Sequence, residues 1–161
     1  MNLLTKSLAV LSTVFLLTAC DNMGGSGGMD GKGGMSGGPS TPGTQSDLEQ
    51  NVGDRVFFDY DSSSLSNEAQ STLDRQAEWL KKYGDISVTL EGHCDERGTR
   101  EYNIALGERR AAAAKKYLVG KGVSSSRIST ISYGKERPAV IGSDESAWSQ
   151  NRRAVSVVTG K

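Results

Sequence analysis

Gly92-His93-Cys94-Asp95-Glu96-Arg97-Gly98-Thr99-Arg100-Glu101-Tyr102-Asn103-Ile104-Ala105-Leu106-Gly107-Glu108-Arg109-Arg110-Ala111 is the stretch around which the rest of the chain makes sense. Just before it, Ile86-Ser87-Val88-Thr89-Leu90-Glu91 alternates apolar and polar residues and is rich in β-branched side chains, the pattern of a strand with one face buried. An Ala-rich run with helical character follows it. The residues between are therefore a strand-to-helix turn, with backbone freedom from Gly92 and Gly98. Turns at the carboxyl ends of strands are where α/β folds commonly place ligand sites. On the helix, Asn103, Leu106 and Arg110 share a stripe, and Tyr102, Leu106, Arg109 and Ala113 form the neighbouring one. Asp95 in the turn and Arg110 on the helix can then face each other across a gap. They form either a receptor for a zwitterion or an ordinary ion pair.

The chain has 161 residues and 19 basic against 19 acidic side chains, so its formal net charge is zero. That argues against nucleic acid as the main partner, because phosphate binding needs a cationic surface. The single histidine, His93, cannot build a repeated His metal site or a catalytic dyad. His93-Cys94-Asp95-Glu96 holds metal-capable residues in a row, but on extended backbone they point alternately to opposite sides and cannot close around one ion. Neither a metal nor a cofactor is expected. A hydrolase is disfavoured too, because no Gly-x-Ser-x-Gly elbow precedes a helix and no base is paired with Ser62–Ser66. His93 reads as a hydrogen-bonded residue that orients the turn, and Cys94 as a small buried one.

The amino-terminal third has a different character. Lys6 precedes an apolar run from Leu8 to Leu17, too short to span a bilayer but suited to a secretory signal peptide. Leu17-Thr18-Ala19-Cys20 resembles a bacterial lipobox, which implies cleavage before a diacylglyceryl-modified Cys20; more than one acyl chain makes such an anchor stable. Residues 20–52 are dominated by Gly, Ser, Asp and Met and read as a flexible tether, with a full extension of about 100 Å. The organisation expected is a signal peptide at 1–19, a lipidated tether at 20–52 and one domain at 53–161.

Within that domain, Arg55-Val56-Phe57-Phe58 predicts a strand with Asp59-Tyr60-Asp61-Ser62 as the loop at its carboxyl end. A helix is predicted from Asn67 to Lys82, capped by Ser66 and stopped near Gly84, with Leu65, Ala69, Leu73, Ala77 and Leu80 as its buried stripe. A second helix runs from Arg100 to Val119. Arg127–Tyr133 and Ala154–Val158 predict further strands, and Glu145–Trp148 a helical turn. The fold class expected is α/β (α+β): a two-layer sandwich with a mixed sheet of about four strands and two main helices on one face. If 55–58 and 86–91 run parallel, their carboxyl ends share one edge, which brings Asp59 and Asp61 towards Asp95 and Asn103.

The central run resembles the signature of the OmpA-like peptidoglycan-binding domain, and within it the peptidoglycan-associated lipoproteins of Gram-negative bacteria. Val56–Asp61, Ile131–Pro138 and Asn151-Arg152-Arg153 also match, so the similarity covers roughly residues 53–159. Cys94 departs from the pattern, where Thr or Ala is expected. The resemblance implies an OmpA C-terminal-like fold that binds peptidoglycan without catalysis, through meso-diaminopimelate of the stem peptide. It gives Asp95 the ammonium, Arg110 the carboxylate, and places Phe58, Asp59, Tyr60 and Asp61 in the first loop with Asn103 and Leu106 on the helix wall. From spacing alone, Arg109-Arg110 with Glu101 and Glu108 is equally a solvated helix face. Asn151, Arg152 and Arg153 are expected to tie the last strand to the cleft rim. The resemblance further implies an outer-membrane lipoprotein facing the periplasm and partnership with TolB and the other Tol proteins; a stator-like or sensor lipoprotein would use the same cleft.

Overall fold

The computed structural model describes residues 40–160. The expected signal peptide, Cys20 and the tether up to residue 39 lie outside the described residues. The predicted strands and helices form with small changes at their ends: β1 (Arg55–Phe57), β2 (Ser87–His93), β3 (Ile128–Gly134) and β4 (Arg153–Gly160), with α2 (Asn67–Lys82), α3 (Arg100–Gly120) and α4 (Glu145–Asn151). The sheet order is β1-β4-β2-β3, with β2 and β3 parallel and β4 antiparallel to both its neighbours. β1 and β2 thus run in the same direction, as expected, but β4 lies between them. Their carboxyl ends still share one edge of the sheet.

Alternation in β2 sends Val88 and Leu90 into the core and leaves Thr89 and Glu91 half-buried on the opposite face. On the helical side, Ala69, Leu73, Ala77 and Leu80 of α2 and Ala111, Ala114 and Leu118 of α3 pack with Val56, Val88, Leu90, Ile128 and Ala154 in one cluster. Burying each of the larger aliphatic side chains contributes roughly 1.5–3 kcal/mol. The Ser66 hydroxyl caps α2 by accepting from the Ala69 N–H at 3.1 Å, and Thr99 caps α3 by accepting from Tyr102 at 3.2 Å. α3 sits unusually close to the sheet. A Cβ on Gly92 would lie 1.8 Å from the Gly107 carbonyl oxygen, so the two backbones touch where no side chain fits. This contact seats the first turns of α3 against the end of β2.

The domain begins earlier than Gly53. Residues 43–52 are not tether: α1 (Gln45–Asp47) runs into a π-helical turn, Leu48–Val52, and Leu48 is buried in the core. The buried Asp47 carboxylate accepts from the Trp79 indole at 2.8 Å, from Asn51 at 2.7 Å and from the Gly43 N–H at 2.9 Å. These bonds, the indole's foremost, hold its carboxyl below the usual range. The Gln45 side chain accepts from the Val158 N–H at 2.8 Å, serving part of β4 beyond the reach of the short β1. A run this short has no readable helical period, and its partners lie far away in the chain.

Candidate functional site

The shared edge of β1 and β2 opens into a cleft of about 220 Å³. The first loop supplies Tyr60 and Asp61, the central turn supplies Cys94, Asp95, Arg97 and Gly98, and α3 supplies Tyr102, Asn103, Leu106 and Arg110. Tyr60, Asp61, Asp95, Asn103, Leu106 and Arg110 are thus brought together as the sequence implies. Phe58 and Asp59 are not on this wall. Phe58 is buried, with the Arg110 guanidinium 5.2 Å from its ring centre. The Asp59 side chain lines a second cavity, of about 440 Å³, with Phe57, Ser64 and Arg152. Phe58 lines that second cavity too, and only Tyr60 and Asp61, at the turn where Asp61 takes a φ of 50°, reach the first cleft.

Arg110 is 1% exposed and lies on the buried stripe with Asn103 and Leu106. Its guanidinium donates to three backbone carbonyls: Nε to Ser62 at 2.8 Å, Nη1 to His93 at 2.9 Å and Nη2 to Asp59 at 3.1 Å. It thereby pins both loops of the cleft to α3. No carboxylate of the described residues forms an ion pair with it. Burial lowers its pKa, opposed by the nearby Cys94 and Asp95. The result is a buried cation beside a cavity, with N–H groups to spare among the five that a guanidinium carries.

Asp95, 4% exposed, pairs with Arg97 and Arg152 rather than Arg110. Arg97 donates to both its carboxylate oxygens, at 3.1 and 2.5 Å, and Arg152 approaches at 3.4 Å. Burial alone would raise the Asp95 pKa. The side-chain and backbone bonds from Arg97 outweigh it, so the carboxyl stays below its usual range. The expected Asp95–Arg110 confrontation is therefore two separate groups of opposite sign on one cleft. Arg152 also donates to the Phe58 carbonyl at 3.0 Å and to Glu145, tying the start of β4 to the rim as expected.

The turn itself is braced from both sides. Asn103 donates to the carbonyls of Arg97 and Thr99, and Lys135 to those of Glu96 and Gly98. Tyr102 donates to Asp61 across the mouth. Cys94 is buried, and its thiol contacts the Asn103 carbonyl at 3.3 Å. His93 is not the hydrogen-bonded residue expected: it is 2% exposed and, among the described residues, neither ring nitrogen has a hydrogen-bond partner, the Glu91 carboxylate lying 3.6 Å from Nε2. It does not line the cleft; its ring centre lies 5.6 Å from that of Tyr133, with Arg137 and Arg153 nearby. Burial first, and the Arg153 and Arg137 cations next, push its pKa down to about 4.

Sequence reasoning missed Arg97, Tyr102 and Trp148. Arg97 had a local signal, because an Asp two residues before a residue–Gly pair favours a turn in which its carboxylate accepts the Arg97 N–H, here at 3.1 Å. Trp148 had none, since it reaches the site only through the tertiary fold.

Residues 57–152 match the model of the OmpA family. The chain is 62% identical over 123 residues to the peptidoglycan-associated lipoprotein of Rhizobium meliloti (strain 1021), covering 76% of this chain and 70% of that one. It is 44% identical over 155 residues to the peptidoglycan-associated lipoprotein of Haemophilus influenzae, covering 96% and 98% of the two chains. The crystal structure of the peptidoglycan-associated lipoprotein from Burkholderia pseudomallei superposes with a TM-score of 0.64 at 42% identity, over 66% of this chain and 90% of that one.

Proposed function

This chain belongs to the OmpA family, among the peptidoglycan-associated lipoproteins, and on that premise we propose that it binds peptidoglycan non-covalently and tethers the outer membrane to the cell wall. The ligand is the meso-diaminopimelate of the stem peptide, the anchor is a lipid on Cys20, and the partners are TolB and the other Tol proteins. The domain faces the periplasm and acts as a binder without catalysis.

The observation that carries this reading is the pair of separated, opposite charges on one small cleft: the Asp95 carboxylate and the buried Arg110 guanidinium, which has no carboxylate partner among the described residues. A group with an ammonium and a carboxylate on the same carbon satisfies both. Lysine, which lacks that carboxylate, satisfies only the first.

The test is calorimetric titration with stem peptides carrying diaminopimelate or lysine, alongside co-sedimentation with purified cell-wall sacculi. The wild-type protein binds the diaminopimelate peptide more tightly. Asp95→Asn, which keeps the shape and removes the charge, weakens that binding by about 2–5 kcal/mol. Arg110→Lys also binds poorly, because an ammonium cannot hold the same forked set of carbonyls and a ligand carboxylate. Circular dichroism separates loss of binding from loss of fold. Equal affinities for the two peptides would remove the zwitterion from the reading.

A further inference from the structure

Arg97 already occupies the carboxylate assigned above to the ligand's ammonium. Its Nε and Nη2 contact Asp95 Oδ1 and Oδ2 at 3.1 and 2.5 Å, and its guanidinium carbon lies 4.1 Å from the ring centre of Tyr60 and 4.0 Å from that of Trp148. The guanidinium is thus sandwiched between two aromatic faces, each of which attracts a cation. Trp148 is held in place by its indole N–H, which donates to Glu96 at 3.1 Å. The Arg97 side chain keeps 29% of its surface exposed, while the backbone of its turn is pinned by Asn103 and Lys135. The head group can therefore leave Asp95 by rotation of its own side chain, with the turn left in place.

Resting on the peptidoglycan reading, we propose that Arg97 is a specificity-determining residue, because it makes every incoming ammonium compete for Asp95. An ammonium that displaces it exchanges one cation for another on the same carboxylate. That exchange removes a two-point bond and leaves the guanidinium without an anion, so a lysine-type ligand gains little. A ligand with a carboxylate on the same carbon brings an anion that Arg110 holds and that the displaced Arg97 guanidinium, on the same cleft, can share through an N–H bond. Arg97 therefore penalises ammonium groups in general and spares those that arrive with a carboxylate. Asp95 supplies the attraction, Arg110 holds the carboxylate, and Arg97 sharpens the discrimination.

The experiment uses the full chain and titrates wild type and Arg97→Gln with the same two peptides. Glutamine loses the charge and the fork. The lysine peptide binds Arg97→Gln about tenfold more tightly than it binds wild type, equivalent to about 1.4 kcal/mol. The diaminopimelate peptide changes by less, so the ratio of the two affinities narrows. Trp148→Leu removes one face of the sandwich while keeping the charge, and narrows the ratio in the same direction by a smaller factor. An unchanged ratio, or weaker binding of the lysine peptide to Arg97→Gln, overturns the role of Arg97 and leaves the peptidoglycan reading intact. Wild type that binds both peptides equally, or neither, overturns that reading and the role of Arg97 with it.

Discussion

Stability should fall between pH 7.5 and 5, and His93 is the cause. It is the only histidine of the chain, it is buried, and among the described residues its ring nitrogens have no hydrogen-bond partner. Protonating it in the folded state places a cation beside Arg153 and Arg137, and its pKa is pushed from an ordinary 6.5 to about 4. The unfolded chain therefore binds a proton more readily than the folded one across this window. The stabilisation from keeping the ring neutral is complete above pH 6.5 and is lost as pH falls towards 4. At 1.36 kcal/mol per decade, the full difference is about 3 kcal/mol, of which about 2 kcal/mol is lost by pH 5. That is a large part of the roughly 5–15 kcal/mol that holds a domain together. Urea titrations at pH 7.5, 6.5, 5.5 and 5.0 measure it above most of the carboxylate range. His93→Phe, which removes the titrating group, flattens the slope. The Glu91 carboxylate lies 3.6 Å from Nε2 and is the group that can defeat this reasoning. A stability unchanged from pH 7.5 to 5 in the wild type would mean that Glu91 takes up the protonated ring as an ion pair.

Two further outcomes follow from the packing. Asp47→Ala strands the buried Trp79 indole N–H and should cost about 1–3 kcal/mol in a denaturant titration; protease cleavage within residues 40–52 should become faster. In the wild type, the depressed Asp47 pKa means that this contribution is present above the ordinary carboxylate range and lost as pH falls below it, so the stability gap to Asp47→Ala closes in acid. Gly92→Ala drives a methyl into the Gly107 carbonyl, which is backbone and cannot step aside. It should cost about 1–3 kcal/mol or more, read as a lower thermal midpoint, whereas Gly120→Ala, at a position with open space, should be close to neutral.

Local pattern was enough for most elements, because period, caps and stops are properties of neighbouring residues. Ser66 before Asn67, the Lys81-Lys82 end of α2 and the alternation of β2 can all be read within a turn or two of chain. The motif of residues 92–111 likewise carries most of the cleft, since the turn and the first turns of α3 are contiguous. What sequence could not decide are the partners. Alternation marks a residue as belonging to a strand but says nothing of which strand lies beside it, so the insertion of β4 between β1 and β2 came only from the fold. The same holds for single side chains. Whether Asp95 meets Arg110 or Arg97, whether His93 finds a hydrogen bond, and whether residues 43–52 stay loose or dock through Asp47 onto Trp79 all depend on atoms brought close by long-range packing. Burial then sets the energies, because the same charged group is inexpensive in water and decisive once water is excluded.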